Sequence, residues 1–311
     1  MGEPSSPVHD GRARLAVLLL LAVTAVWGST FFLIRDLVEQ VPSADFLAVR
    51  FGIAAVLMFA LFSRQTLALS RRELTLGVGL GVLYAVAQLL QTVGLETTAA
   101  SVSGFLTGTY IVLTPVLGAL LLRDHVPRVA WVAAVIAMAG IGVLSLQGLA
   151  MGFGESLTLG SAAIYALHIL ALGRWSTAST ALGLSTVQAA VIAVVCLVAA
   201  VPDGVTLPAT GGQWVSLLYM AVVAGAGALL AQTWAQAHLT ATRAAIVMAM
   251  EPVFAAFFAV LFGNEAVTWR LLVGGGLVLG AMYLVELRGG THDEGASALE
   301  DPPAEILHHD V

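Results

Sequence analysis

Lysine is missing altogether from this chain of 311 residues; its 13 basic side chains are all arginine. With the abundance of alanine, that bias points to a GC-rich genome and a bacterial origin. Charge of either sign is scarce: charged residues make up 10% of the chain, against about 25% in a soluble domain. So few charges cannot cover the surface of a soluble protein of this length. No basic patch exists and the isoelectric point is about 5.6, which argues against nucleic acid as a partner. Cysteine occurs once, at Cys196 inside an apolar run, so no disulfide can form within the chain and no thiolate metal cluster is available. Its expected role is a small buried hydrophobe. There is no phosphate-binding loop of the Walker type, no Gly-x-Ser-x-Gly elbow, and no His pair at metal-ligand spacing. Neither cofactor nor metal is expected.

What the chain does have is apolar length. Hydrophobic residues make up 59% and mean hydropathy is +0.94. A bilayer-spanning helix needs about 20 mostly apolar residues. Ten such runs stand out, at 15–34, 46–63, 75–94, 101–122, 129–147, 155–174, 184–201, 213–234, 243–262 and 269–286. They are long, rich in Leu and Ala, and lack polar alternation, so they read as helices and not as barrel strands. The expected fold is an all-α polytopic membrane protein embedded in the lipid bilayer, for which one chain suffices. The first run follows Arg12 and Arg14 like a signal peptide, but no small-residue cleavage site follows it, and it is expected to be retained.

Arginine placement sets the orientation. With the N-terminus in the cytoplasm, the inner segments hold Arg12, Arg14, Arg64, Arg71, Arg72, Arg123, Arg128, Arg174, Arg243 and Arg288. The outer segments hold only Arg35 and Arg270. Both termini are therefore expected inside the cell membrane. The net charge of −6 comes from residues 293–311, which carry six acids and no arginine; the rest of the chain balances. The polar tail from 288 to 311 is expected to be disordered and cytoplasmic.

The two halves resemble each other. A shift of 140 residues places Gly140 on Gly280, Gly104–Gly108 on Ala244–Met248, and Arg123-Asp124-His125 on Gly263-Asn264-Glu265. Near the start of each half a shift of 138 places Ala25-Val26-Trp27-Gly28 on Ala163-Ile164-Tyr165-Ala166. Five spans per copy is an odd number, so the second copy must lie upside down relative to the first. The predicted division is a cytoplasmic segment 1–14, repeats 15–147 and 155–287, and the tail 288–311. Inverted repeats mark secondary transporters, whose substrate sits between the halves near the midplane.

Trp27-Gly28-Ser29-Thr30-Phe31-Phe32 followed by Ala48-Val49-Arg50-Phe51 resembles the EamA-type family of the drug/metabolite transporter superfamily. Gly104-Phe105-Leu106-Thr107-Gly108 running into Tyr110-Ile111-Val112-Leu113-Thr114-Pro115 does so too, as does Thr242-Arg243-Ala244-Ala245 leading to Met250-Glu251-Pro252-Val253-Phe254. Gly263-Asn264-Glu265 matches the family's Gly-Glu turn with an added Asn, whereas Asp124-His125 departs from it. The resemblance covers residues 15 to about 287. It implies ten helices in two five-helix repeats and export of a small-molecule substrate: an amino acid, metabolite or drug.

Charges inside a bilayer are costly and usually functional. Glu251 lies about 12 Å along the ninth run from Arg243. It either binds a proton, cation or substrate amine, or locks helix packing as a hydrogen-bonded carboxyl. Pro252 beside it bends or breaks the helix, and Pro115 is the expected counterpart in the fourth run. Arg50 either snorkels to the outer interface or binds a carboxylate. His168 is a proton relay or a core histidine bonded to a neighbour. Trp27 and Tyr110 are the expected aromatic wall, where the family motifs converge. Tyr84, Gln88, Gln91, Thr107, Tyr165, Gln188, Gln232 and Gln236 complete the polar set; their amides either join helices or line the pathway. Gly77/Gly81, Gly104/Gly108 and Gly276/Gly280 are spaced for close helix contact. The leading expectation is a secondary transporter and not an enzyme. The alternatives are a lipid-modifying enzyme using Asp36, Glu39 and Asp45 with Arg35 and Arg50, or a scaffold acting through the acidic tail.

Overall fold

The structure is a computed structural model that describes residues 7–123, 128–147, 150–177, 179–236 and 247–297. The described residues are mostly helical, joined by short turns and loops and by one two-stranded bridge. Helices α1 (Pro7–Val38), α2 (Ser43–Leu67) and α3 (Arg71–Leu95) follow in turn, then α4 (Ala100–Gly108) and α5 (Tyr110–Leu117) with a π-helical turn at Gly118–Leu122. Helix α6 (Arg128–Ser145) closes the first half. Leu146 pairs antiparallel with Met151, and Gln147 with Ala150, in the bridge that leads into the second half. There follow α7 (Phe153–Trp175), α8 (Ala181–Ala200), α9 (Gly211–Leu218), a π-helical stretch Tyr219–Gly227, α10 (Ala228–Gln236), α11 (Glu251–Leu261) and α12 (Trp269–Ser297).

Among the described residues, six helices are long and apolar enough to cross a membrane; Arg128–Leu144, Glu251–Leu261 and Trp269–Leu284 are shorter apolar helices. Helix is the only open-chain solution there, because hydrocarbon offers no partner to a bare N–H or C=O. Starts are set by side chains. Ser70 accepts from the Glu73 N–H at 3.3 Å and Glu73 accepts from the Ser70 N–H at 2.6 Å, a reciprocal cap that opens α3. Thr210 and Gln213 do the same for α9.

Two large buried cores, with two smaller clusters beside them, hold the bundle. Phe46, Leu47, Ile192, Cys196, Leu217 and Met220 join α2, α8 and α9 with its π-helical extension. Phe105, Leu106, Val112 and Met282 join α4, α5 and α12, with α6 packed on them. Helix α2 packs on α8, α3 on α7 and α8, α1 on α10 and α11, α4 on α11, and α6 on α12. Large apolar residues also face outward, Val56 and Val135 among them. That is the expected surface for a lipid environment.

Two expectations need correction. Gly276 and Gly280 do not mediate helix contact: open space surrounds both. Gly274 makes that contact, lying against the Gly140 carbonyl and Leu144. A four-residue spacing fixes which glycines share a face but not which face meets a neighbour. Pro252 stands at a break in the ninth run: a turn at Ala249-Met250 precedes α11, which starts afresh at Glu251 with Pro252 in its first turn, where a missing N–H costs nothing. The polar tail does not begin at 288 as loose chain; α12 continues to Ser297, since extending an existing helix is far easier than starting one. Asp124, His125, Arg243 and residues 298–311 lie outside the described residues.

Candidate functional site

Arg50 turns inward from α2. Its guanidinium carbon lies 5.8 Å from the Phe46 ring centre and 5.2 Å from that of Phe51. Such contacts are attractive because the ring face is electron-rich. Among the described residues no acid stands in salt-bridge range of Arg50. Phe51 meets Tyr84 of α3 edge-on at 6.4 Å. Tyr84 meets Tyr165 of α7 edge-on at 5.6 Å and stacks on His168 at 4.9 Å.

Hydrogen bonds extend this group in two directions. Tyr165 donates its hydroxyl to Gln91 Oε1 at 3.0 Å, and Gln91 Nε2 donates to Thr107 Oγ1 at 3.0 Å. The Gln91 amide is thereby fixed at both ends, tying α7 to α3 and α3 to α4. On the other side His168 Nε2 lies 2.6 Å from Gln188 Oε1, and Gln188 Nε2 donates to the Leu184 carbonyl at 3.2 Å. The amide orientation assigns the proton to His168 Nε2 and leaves Nδ1 as an acceptor. Gln88 lies one turn from Tyr84 on the same face of α3.

Glu251 opens α11, where a carboxylate faces the positive end of the helix. Tyr84 and Tyr165 both lie within electrostatic reach of Arg50 and of Glu251, and Tyr165 is also within reach of Tyr110. The position of α11 depends on two glycines. A Cβ on Gly28 of α1 would stand 2.6 Å from Phe254 Cβ and 2.8 Å from the Ala255 nitrogen; one on Gly104 of α4 would stand 2.6 Å from Ala255 Cβ. Only bare backbone lets α1 and α4 close on α11.

The structure thus brings together Arg50, Tyr84, Gln88, Gln91, Thr107, Tyr110, Tyr165, His168 and Glu251. Trp27 and Gln232 take partners elsewhere. The Trp27 indole donates to the Ala224 carbonyl at 2.9 Å, pinning α1 to the π-helical stretch of the second half. Gln232 donates to Met248 Sδ at 3.7 Å. Pro115 lies inside α5, past an interruption at Thr109 and before the π-helical turn at Gly118–Leu122.

The acids considered for lipid chemistry do not gather. Asp45 accepts from the Thr206 N–H at 2.6 Å, and Arg35 pairs with Glu265 at 2.9 Å. Among the described residues no three His, Cys, Asp or Glu side chains form a metal-holding group. Asp45 and Arg35 are each taken by a partner from a distant part of the chain. Glu265 is the residue that sequence reasoning underrated. Its carboxylate accepts from Arg35, from the Ala100 N–H at 2.6 Å, from the Ser101 N–H at 3.2 Å, and from the Ser101 hydroxyl. It caps α4 from outside, clasping α1 to α4. The signal was present: α4 is preceded by Ala99, which has no side-chain acceptor for the free N–H groups of a helix start.

Residues 14–146 and 152–287 each match the EamA-like transporter family. The chain belongs to that family. It is 29% identical over 280 residues to an uncharacterized transporter of Archaeoglobus fulgidus, a match covering 90% of this chain and 88% of the other. It is 28% identical over 144 residues to a probable terminal-alkyne amino-acid exporter of Streptantibioticus cattleyicolor, covering 42% of this chain and 46% of that one. A solved crystal structure superimposes with a TM-score of 0.63 over 90% of this chain and 99% of its own, at 17% identity, a likeness of fold alone. This EamA-family chain is a membrane protein of a transporter family.

Proposed function

We propose that this protein is a secondary transporter that exports a small metabolite carrying both a carboxylate and an amine, by alternating access. The observation that carries this reading is charge placement: Arg50 sits on the Phe46 and Phe51 rings that lead to Tyr84 and Tyr165, and Glu251, of opposite sign, lies within electrostatic reach of the same tyrosine pair. Arg50 has no carboxylate partner among the described residues and is suited to take one from a substrate. Glu251 takes the amine or, when the site is empty, a proton. The aromatic group around them shields both charges from lipid. The transporter needs no cofactor and catalyses no reaction. It sits in the cell membrane with both termini in the cytoplasm, following the arginine bias.

The proposed frame is ten spans in two inverted five-helix repeats. Packing supports it, because exchanging the halves maps contacts onto contacts: α3 on α7 corresponds to α10 on α1, and α2 on α8 to itself. The α6–α12 contact is reciprocal, with Gly140 against Gly274 and Val278, and Gly274 against Gly140 and Leu144. Gly274, not Gly280, is thus the glycine that Gly140 meets across this contact. Among the described residues, Arg123 and Asn264 alone of the non-glycines have positive φ, at 60° and 54°. They stand at the corresponding turns, which a shift of 141 brings into line.

The test is flux in sealed liposomes containing the purified protein, against a panel of zwitterionic metabolites under a proton gradient. Uphill movement of at least one substrate is expected. Glu251→Gln should insert normally, lose uphill flux and retain exchange down a substrate gradient. Full uphill flux in that variant would remove Glu251 from coupling. No flux of any substrate by the wild-type protein would end the transport reading.

A further inference from the structure

Helices α2 and α3 both pack along α8 and barely meet each other. The gap between them is a groove of about 680 Å³, within the size range of small-molecule pockets. Helix α8 is its floor, through Val187, Val191 and Val194; Phe59 of α2 forms one wall, Val78 and Val82 of α3 the other. Phe59, Val78 and Val194 are exposed, so the groove opens toward lipid and not into the bundle. Its two hydroxyl groups are already used: Thr66 donates to the Phe62 carbonyl and Thr186 to the Leu182 carbonyl, each at 2.9 Å. An occupant therefore finds hydrocarbon and no hydrogen-bond partner along the groove.

One end of the groove is different. It finishes at Thr66, two residues past Arg64, beside the turn that leads to Arg71 and Arg72 at the start of α3. Arg71, Val78 and Val82 are spaced i, i+7 and i+11, so they share one helix face. The wall therefore runs straight to Arg71, about 10 Å along the axis from Val78. Arg64, Arg71 and Arg72 are exposed, and among the described residues none has a salt bridge to an acid. The neighbouring acid, Glu73, is engaged with the Ser70 N–H in the cap of α3. Arg71 thus stands in line with one wall of the apolar slot, and the long exposed side chains of Arg64 and Arg72 flank the same turn.

We propose that this groove is a binding site for an anionic phospholipid, one acyl chain lying on α8 between α2 and α3 and the phosphate held by Arg64, Arg71 and Arg72. Guanidinium forks match phosphate oxygens in pairs, and basic clusters at the ends of spans attract anionic headgroups. The apolar slot alone accepts any acyl chain; the arginines select the headgroup. The site depends on the chain being embedded in a bilayer and not on what it transports, so its test and the transport test fail independently.

The experiment uses the full chain, released by mild detergent from vesicles of equal phosphatidylglycerol and phosphatidylcholine, with retained lipid read by native mass spectrometry. The wild type is expected to retain phosphatidylglycerol over phosphatidylcholine roughly tenfold, the scale set by a few arginines acting on one anionic headgroup. The triple variant Arg64→Gln, Arg71→Gln, Arg72→Gln is expected to retain both lipids equally. Ala190→Trp, which fills the groove, is expected to lose both. Val198→Trp, exposed on the same helix but outside the groove, is the folding control and should retain lipid like the wild type. Equal retention of the two lipids by the wild type would overturn the proposal. So would an undiminished preference in the triple variant, or full retention by Ala190→Trp.

Discussion

At the scale of single residues, the site is a run of side chains each held by the next. Tyr165 is its hinge point, because it contacts Tyr84 through its ring and Gln91 through its hydroxyl. Tyr165→Phe keeps the ring and removes the donor. Interhelical hydrogen bonds in membranes average about 0.6 kcal/mol, so thermal stability should fall only slightly. Transport should fall further, by roughly tenfold, equivalent to about 1.4 kcal/mol, if Gln91 must be held for the substrate. Flux per folded molecule in liposomes checks this; a loss no greater than the loss of folded protein would make Tyr165 a packing residue. These polar residues were legible in the sequence because an amide or phenol in a 20-residue apolar run is conspicuous. The Phe46 and Phe51 contacts to Arg50 were not, since an aromatic in such a run is ordinary. Nor was the destination of Trp27, whose partner is a backbone carbonyl almost two hundred residues away.

Among elements, the close approach of α1 and α4 to α11 governs where Glu251 sits. Gly104→Ala would press on Ala255 Cβ, and overpacking of this kind costs about 1–3 kcal/mol. The double variant Gly104→Ala with Ala255→Gly removes the opposing atom and should recover most of that loss. Gly28→Ala should not be rescued to the same degree, because its added carbon also meets the Ala255 backbone nitrogen. Melting temperatures of the single and double variants decide the matter; a Gly104→Ala protein as stable as wild type would mean that α4 shifts freely. Element positions were readable from apolar length. Their breaks were not: Gly108 precedes the interruption at Thr109, and Gly225 and Gly227 lie in the π-helical stretch Tyr219–Gly227, but in a chain with 32 glycines these residues do not stand out. The turns were half legible. Asn264 suits a left-handed backbone, but Arg123 in the same conformation gives no sequence signal.

For the whole molecule, the arginine bias predicts orientation. Leu207→Cys, in the exposed loop between α8 and α9, should react with an impermeant thiol reagent in intact cells. Ala68→Cys, in the turn between α2 and α3, should react only after the membrane is opened. The reverse pattern would invert the protein. Both experiments can be done in the native chain, because its one thiol, Cys196, is fully buried among α2, α8 and α9. That burial leaves the native chain silent to thiol-directed spin labels. Spin labels attached on either side of the Arg35–Glu265 clasp would report one distance and no background. Opening of the bundle at that end would then appear as a second peak in a pulsed electron paramagnetic resonance distance distribution, and substrate would change the ratio of the two.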